Sequence, residues 1–375
     1  MELQLQEGNS AVMSFDEGFS FLGEDSGPRY PTPEGTLQTE PGRKTLMVAR
    51  SGGKVRLSKG RVIVESKDKV QLVSVPQSLV SRIVCFGPVG VSAGIRDWAL
   101  RSDIHVVYLS RTGNYLGQLL AGGAKQRAAR VRAQLALTEE RRIELARSIV
   151  TAKVNKQIVL LRRYVRDENR DDLVPKIEFM KSLRGQLPQY VTSEGLMGVE
   201  GAAAKTYYEG LCLLLPVECG FSGRNRRPPR DIVNAALSYL YALLLAECVG
   251  ALVAAGLDPA FGCLHSESRG APALGLDLME EFRPYVVDLV VVHAARKGTL
   301  TVADQEPDQD KPGVWLTKAA KQRLVDAYEL RMLQSTSGAL PGFGGSIRAH
   351  IHRQAKRLAN AIHSGADEFT GLSWR

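Results

Sequence analysis

The sequence has few cysteines and no Cys-x-x-Cys pair. The five that it has are odd in number and lie mostly in apolar runs: Cys85, Cys212, Cys219, Cys248 and Cys263. This usage argues against a disulfide framework and against a zinc site built from paired cysteines. We therefore predict reduced, buried thiols in a cytoplasmic protein.

No secretory signal peptide is expected either, because the first residues are acidic and polar. One run, residues 235–255, is long and apolar enough to cross a bilayer. However, Glu247 lies within this run, no second run of this kind exists, and a GLDP turn follows it. A helix that is apolar all round is typical of the centre of a large helical domain, so we predict a buried helix. The alternative, an integral membrane protein, would need detergent for purification.

Acidic residues are too few to balance the basic ones, since 40 aspartates and glutamates stand against 49 lysines and arginines and leave a net charge of +9. This excess favours a polyanionic partner, either nucleic acid or an anionic membrane surface. Residues 124–170 contain 13 lysines and arginines against five acids, which is nearly the whole excess. A solvent-exposed helix face and a surface that binds the phosphate backbone of a nucleic acid explain this surplus about equally well.

A length of 375 residues favours two domains. Residues 1–43 are rich in Gly, Pro, Ser and Glu and are interpreted as a leader or linker. Short β-branched runs separated by turns predict a small β-rich domain over residues 44–121. Helix-forming residues dominate afterwards and predict a larger all-α domain over residues 124–365, followed by a tail at 366–375. The expected fold class is α+β.

Carboxylates are concentrated between residues 256 and 284. This stretch contains a lone histidine, His265, and then Asp277, Glu280 and Glu281 among apolar residues. If the segment is helical, the three acids lie near one face. A solvent-facing acidic stripe and a structural histidine are the ordinary interpretations of these residues taken singly. Carboxylates on an apolar surface are costly unless a positive charge compensates them, and a divalent metal ion would do so.

A further candidate ligand, Glu200, lies between Gly198 and Gly201, where the missing side chains permit close approach of a ligand. Together with His265 and one carboxylate from residues 277–281, Glu200 would supply two oxygen ligands and one nitrogen ligand. Such a set suits Mg²⁺ or Mn²⁺, with water completing the coordination. A metal held in this way performs phosphoryl transfer, and beside a basic surface the substrate would be a nucleic-acid strand.

Arginines are concentrated in a proline-containing loop over residues 221–231 and in the last predicted helix. The planar guanidinium suits bidentate contact with phosphate, so we predict DNA contacts for them, although a solvated loop and packing of the last helix are alternatives. The predicted contacts are Arg224, Arg226, Arg227, Arg230, Arg353 and Arg357.

Three blocks of the sequence carry a family resemblance: GVEGAAAKTYYEGL, GRNRRPPRDIVNAALSYLYALLLAE and GLDPAFGCLHSESRGAPALGLDLMEEFRP. In this order they resemble the signature blocks of the CRISPR-associated integrase of the adaptation module, the Cas-one family, and the resemblance covers residues 44–365. It implies a β-rich domain followed by a helical catalytic domain. It also implies Glu200, His265 and Glu280 as metal ligands, with Asp277 as second choice. Of the three acids in residues 277–281, this leaves Glu281, which we predict to be a surface charge.

The resemblance further implies a reaction and partners. The protein would be a Mg²⁺- or Mn²⁺-dependent DNA endonuclease and integrase, which joins the 3′-hydroxyl ends of captured DNA to the leader–repeat end of a CRISPR array. Expected partners are prespacer DNA, a second copy of the chain, a small companion subunit (Cas-two) and a prespacer-processing nuclease, with no membrane. The alternative is a non-catalytic nucleic-acid-binding scaffold with structural carboxylates.

Overall fold

The structure is a computed structural model of the chain. It describes residues 19–21, 44–49, 52–102, 104–110, 115–119, 127–225, 228–265, 271–307, 313–340, 343–364 and 369–373. The chain divides into two compact units, one formed by Met1–Gly123 with Lys318–Ser335 and the other by Ala124–Thr317 with Thr336–Arg375. A β-rich unit and a larger helical unit confirm the α+β fold class.

The first unit contains two sheets. The strands of this unit and the helix among them are β1 Phe19–Phe21, β2 Lys44–Val48, β3 Lys54–Ser58, β4 Arg61–Glu65, β5 Gln71–Pro76, β6 Val80–Phe86, β7 Gly90–Val91, α1 Ala93–Arg101, β8 His105–Leu109 and β9 Tyr115–Leu119. One sheet has the order β1-β2-β6-β8-β9 and the other has the order β5-β4-β3-β7. Apolar side chains such as Leu46, Ile83 and Val106 form a continuous core in this unit, as the β-branched runs predict.

Two features of the first unit differ from the sequence-based outline. Strand β1 lies within residues 1–43, the predicted leader, and pairs antiparallel with β2. The other residues of that range lie outside the described residues. The segment Lys318–Ser335 lies within the predicted helical domain, yet it belongs to the first unit. There Glu329 forms an ion pair with Arg82 over 3.7 Å, a contact that sequence order does not reveal.

The second unit contains most of the helices. Its elements are α2 Arg127–Leu135, α3 Glu139–Glu168, α4 Val174–Gln186, α5 Ser193–Leu214, α6 Ile232–Ala254, α7 Ala273–Phe282, α8 Leu289–Arg296, β10 Gln305–Pro307, β11 Val314–Leu316 and α10 Ile347–Ser364. Helix α9, Lys318–Leu333, belongs to the first unit, and the hairpin β12 Ser335–Leu340 with β13 Phe343–Ser346 precedes α10.

Helix α6 is the long apolar run of the sequence. It is long and apolar enough to cross a membrane, but 78% of its most apolar window is buried inside the protein. It packs against α7 and α10, and Asp231 caps its first turn by accepting a hydrogen bond from the backbone N–H of Asn234 at 2.7 Å. The prediction of a buried core helix is confirmed.

The chain leaves α7 through a π-helical segment, Arg283–Asp288, before α8 begins. Pro284 lies in the first turn of this segment. Proline cannot donate a backbone hydrogen bond and clashes with the carbonyl four residues before it, so the wider turn accommodates it. Arg283 and Asp288 are both buried, and Arg283 lies 3.3 Å from Glu280 of α7.

Candidate active site

Three helices of the second unit bring one cluster of charged side chains together. The ammonium of Lys153, on α3, forms an ion pair with Glu200 on α5 and lies 2.5 Å from Oε2 of Glu280 on α7. The other oxygen of Glu280, Oε1, lies 3.3 Å from Nη2 of Arg283 and 3.8 Å from Nε2 of His265. Two carboxylates, an imidazole and two cations therefore meet at one place.

The cluster is buried on one side and accessible on the other. Glu280, Lys153 and Arg283 are only 2%, 6% and 7% exposed. The side chains of Glu200 and His265 are 22% and 30% exposed. An ion or a substrate can therefore reach the carboxylates from the side of Glu200 and His265.

The charges of the cluster stabilise one another. Burial alone would raise the pKa of Glu280, but Arg283, Lys153 and His265 outweigh burial and lower this pKa to about 2. Burial would lower the pKa of Lys153, yet Glu280 and Glu200 raise it overall. Glu280 is thus a carboxylate and Lys153 an ammonium at neutral pH.

Asp277 fixes the position of His265 through hydrogen bonds to its backbone and to its ring. Its Oδ1 accepts hydrogen bonds from the backbone N–H of His265 at 3.0 Å and from Nδ1 of the ring at 2.7 Å. Its Oδ2 accepts from the backbone N–H groups of Cys263 at 2.6 Å and Leu264 at 3.1 Å. Because Nδ1 donates to Asp277, Nε2 is the ring atom directed towards Glu280. Burial lowers the pKa of His265, but the hydrogen bond to Asp277 raises it overall.

The prediction that Glu281 is a surface charge is wrong. Glu281 is 4% exposed and accepts hydrogen bonds from Nε2 of Gln354, at 2.8 Å, and from the backbone N–H of Leu372. Because neighbouring residues of a helix point in different directions, Glu281 lies on another side of α7 than Glu280. Its burial requires a second part of the protein to cover that side. The segment 369–373 and helix α10 do so.

The predicted DNA contacts in the proline-containing loop have different surroundings. Arg224 donates to Oδ1 of Asn234 at 2.8 Å and to Oγ of Ser238 at 3.0 Å, so its guanidinium holds the loop on α6. Arg230 is exposed. The other two predicted contacts of this loop, Arg226 and Arg227, lie outside the described residues.

The two predicted contacts on α10 also differ. Arg353 is exposed, with its guanidinium 5.8 Å from the centre of the Phe343 ring. Arg357 donates to the carbonyl oxygen of Thr370 at 2.8 Å and to its hydroxyl at 2.9 Å. Arg357 therefore anchors the segment 369–373.

Part of the positive charge in residues 124–170 serves internal contacts. Arg130 donates to the carbonyl of Ala255 at 2.5 Å, just after α6 ends, and Arg142 donates to the carbonyl of Gly262 at 2.7 Å. Both contacts hold the turn that leads to His265. Arginine near a helix C-terminus satisfies carbonyls that have no partner within the helix, so this surplus is in part structural.

Sequence reasoning missed Lys153 and Arg283. A signal for Lys153 was present, because it occupies the apolar face of α3 together with Ile149, Val150 and Val154, where a lysine is expensive to bury without a partner. Arg283 follows directly after the acidic helix in the run EEFRP, and nothing in its spacing indicates that it turns inward.

Asp288, in the π-helical segment, is a further buried carboxylate. It is 1% exposed and accepts hydrogen bonds from the hydroxyls of Tyr207, at 2.8 Å, and Tyr241. The guanidinium of Arg283 lies 4.6 Å from the centre of the Tyr241 ring. Burial raises the pKa of Asp288 to about 6, although both tyrosines and Arg283 act in the opposite direction.

We expect this carboxylate to make the protein more stable as the pH falls from 7 towards 4. A pKa raised from 3.8 to about 6 means that the folded state binds a proton more tightly than the unfolded chain does. The Asp288→Asn variant should lose this gain, worth up to about 3 kcal/mol. Urea denaturation at pH 4.5 and 7 measures it, and an unchanged pH dependence in Asp288→Asn would contradict the assignment.

The donor set of the cluster fits a divalent cation. Carboxylate and imidazole ligands suit Mg²⁺ or Mn²⁺, and two carboxylates already share one cation, the Lys153 ammonium. As the side chains stand, no three His, Cys, Asp or Glu residues of the described ranges converge closely enough to hold a metal ion. Lys153 occupies the position between the two carboxylates.

Solved structures share this fold. A casposase bound to an integration product matches with a TM-score of 0.72 and 21% identity, covering 87% of this chain and 92% of that one. A chain of a Cas6-RT-Cas1–Cas2 complex matches with a TM-score of 0.75 and 25% identity, covering 92% of this chain and 38% of that one.

The fold and the sequence matches define the chain as a CRISPR-associated protein. It belongs to the family described as CRISPR associated protein Cas1, whose model matches residues 46–330. A CRISPR-associated endonuclease Cas1 from Thermus thermophilus is 36% identical over 318 residues, covering 85% of this chain and 96% of that protein. The resemblance in the sequence is confirmed.

Proposed function

We propose that the protein joins DNA ends to a CRISPR array with the help of Mg²⁺ or Mn²⁺, held by Glu200, His265 and Glu280. The observation that carries this proposal is the meeting of Glu200 and Glu280 at a single cation, beside the imidazole of His265. A bound divalent ion would supply Lewis-acid activation of the phosphodiester and of the attacking hydroxyl.

In the proposed reaction the 3′ oxygen of a captured DNA end forms a bond to a phosphorus atom of the array, and the bond to the array's own 3′ oxygen breaks. Asp277 accepts from Nδ1 of His265, so in the neutral imidazole Nε2 is the nitrogen with the free lone pair that would bind the ion. Arg283 neutralises part of the charge of Glu280. Arg230 and Arg353, both exposed, are the described members of the predicted DNA contacts that are best placed to bind phosphates.

The proposed partners follow from the family. The complex cited above contains Cas2, which supports a small Cas2 companion subunit for this chain. We also propose a homodimer, prespacer DNA and the leader–repeat end of the array as partners, a prespacer-processing nuclease, and a cytoplasmic location. The mostly buried α6 supports a chain that does not span a membrane.

We expect the Glu200→Ala and His265→Ala variants to lose strand joining by at least about a hundredfold, because each removes a ligand of the proposed ion. The measurement is the joining of a short duplex to a repeat-containing plasmid in Mn²⁺. Glu194→Ala is the matched control, since Glu194 lies on the same helix and is exposed.

Joining by both variants at the rate of the parent would reject the site. A non-catalytic scaffold would instead bind DNA with a steep salt dependence and give no metal-dependent product in the parent.

A further inference from the structure

Lys153 is the central cation of the cluster, and it is unusual in its position. It extends from the buried face of α3 and is 6% exposed. Its ammonium pairs with both Glu200 and Glu280, which come from two other helices. A buried lysine of this kind is stable only because the carboxylates compensate the cost of removing its charge from water.

The same carboxylate oxygens are the donors proposed for the divalent ion. The ammonium lies 2.5 Å from Oε2 of Glu280, and a Mg²⁺ ion would bind the same oxygen at about 2.1 Å. Both cations cannot occupy the space between the two carboxylates. The ammonium is also tethered to α3, so it competes at a high effective concentration.

The charges of the cluster add to this argument. Glu200 and Glu280 carry two negative charges, and Lys153 and Arg283 carry two positive ones, so the charges of these four side chains balance. A divalent ion that entered while both cations stayed in place would leave an excess of positive charge beside three side chains that are buried.

We propose that Lys153 is a built-in counterion that competes with the divalent metal for Glu200 and Glu280. It holds the two carboxylates together in the metal-free protein and lowers the affinity of the site for the metal. Lys153 is thus a positioning residue that sets the metal concentration at which the site is loaded. This inference rests on the proposed function, because it assumes that the ion binds these carboxylates.

The test is calorimetric titration of the full chain with Mn²⁺, comparing the parent with Lys153→Met. The variant keeps an unbranched side chain of similar length and removes the charge. It should bind Mn²⁺ about tenfold more tightly or better, because the competitor is gone. Its unfolding temperature without metal should be lower than that of the parent, because two buried carboxylates lose their partner, and saturating Mn²⁺ should reduce that difference.

Lys156→Met is the matched control. Lys156 lies three residues further along α3 and is also buried, but it donates to the carbonyl of Leu372 and interacts with the charge of Glu281. Its replacement should lower the unfolding temperature with and without Mn²⁺ and leave the Mn²⁺ affinity unchanged. A merely structural role for Lys153 predicts the same behaviour for both variants.

Lys153→Arg keeps the charge, and it is the variant to titrate if Lys153→Met does not fold without metal. It should bind Mn²⁺ no more tightly than the parent does, and tighter binding would overturn the proposal because charge would not be the cause. Equal or weaker Mn²⁺ binding by Lys153→Met would overturn it as well.

Glu280→Gln in the same titration separates this inference from the proposed function. If the parent binds Mn²⁺ in a way that Glu280→Gln abolishes, but Lys153→Met binds no more tightly, only the role of Lys153 fails. If neither the parent nor Lys153→Met shows binding that depends on Glu280, both proposals fail.

Discussion

Replacing Glu280 by glutamine should reduce strand joining by about a thousandfold, which corresponds to roughly 4 kcal/mol of lost transition-state stabilisation. Glu280 contacts more members of the cluster than any other acid of the described site: Lys153, Arg283 and His265. Glutamine has almost the same shape, so the packing of α7 is retained while the negative charge is lost. The measurement is the rate of duplex joining at saturating Mn²⁺.

Glu281→Gln provides a close control for this prediction. Glu281 is the next residue of the same helix and is equally enclosed, but it contacts Gln354 and the backbone of Leu372. Its replacement should weaken the anchoring of the segment 369–373 and leave the rate of joining, at a temperature where the protein is folded, within about threefold of the parent. Equal rate losses in the two variants would show that the effect comes from folding and not from the charge at the site.

Replacing Asp277 by alanine should lower the free energy of unfolding of the helical unit by about 3–5 kcal/mol. The carboxylate is 1% exposed and accepts hydrogen bonds from the backbone N–H groups of Cys263, Leu264 and His265 as well as from the imidazole. All of these donors would lose their acceptor in a buried environment. Urea denaturation followed by circular dichroism measures the loss.

Hydrogen exchange gives a local measurement of the same effect. The amides of residues 263–265 should exchange faster in Asp277→Ala, because their hydrogen bonds end on the missing carboxylate. Asp258→Ala is the matched control. Asp258 precedes the same turn, but its side chain accepts a hydrogen bond from the backbone N–H of Ala260. It should cost about 1 kcal/mol or less and leave the amides of residues 263–265 protected. Protected amides in Asp277→Ala would contradict the positioning role of Asp277.

The local elements could be predicted from the sequence with good accuracy. The β-branched runs before residue 121 form strands, and Ser92 caps α1 by accepting from the backbone N–H of Ile95 at 3.3 Å. The apolar run after Asp231 is a buried helix. In each case the deciding interactions are between residues close in sequence, or the hydrophobicity of one segment is sufficient, so no knowledge of distant contacts is needed.

Residue types and spacing alone selected Glu200, His265 and one carboxylate from residues 277–281, and the family resemblance selected Glu280 among these. The structure brings Glu200 and Glu280 to one cation with His265 beside them. Their role as metal ligands stays a prediction. The selection was possible because these residue types are informative about chemistry even when their partners are unknown.

Only the tertiary structure decided what surrounds these side chains. Lys153 reaches Glu200 across 47 positions of the chain, and no local pattern links the two. Asp277 binds the turn before it, and Glu281 is covered by a segment from the end of the chain. Periodicity shows which face of a helix is apolar, but the elements that enclose its other faces come from distant parts of the chain. The burial of a carboxylate and the charges around it depend on those elements. Both properties are therefore fixed only when the helices pack together.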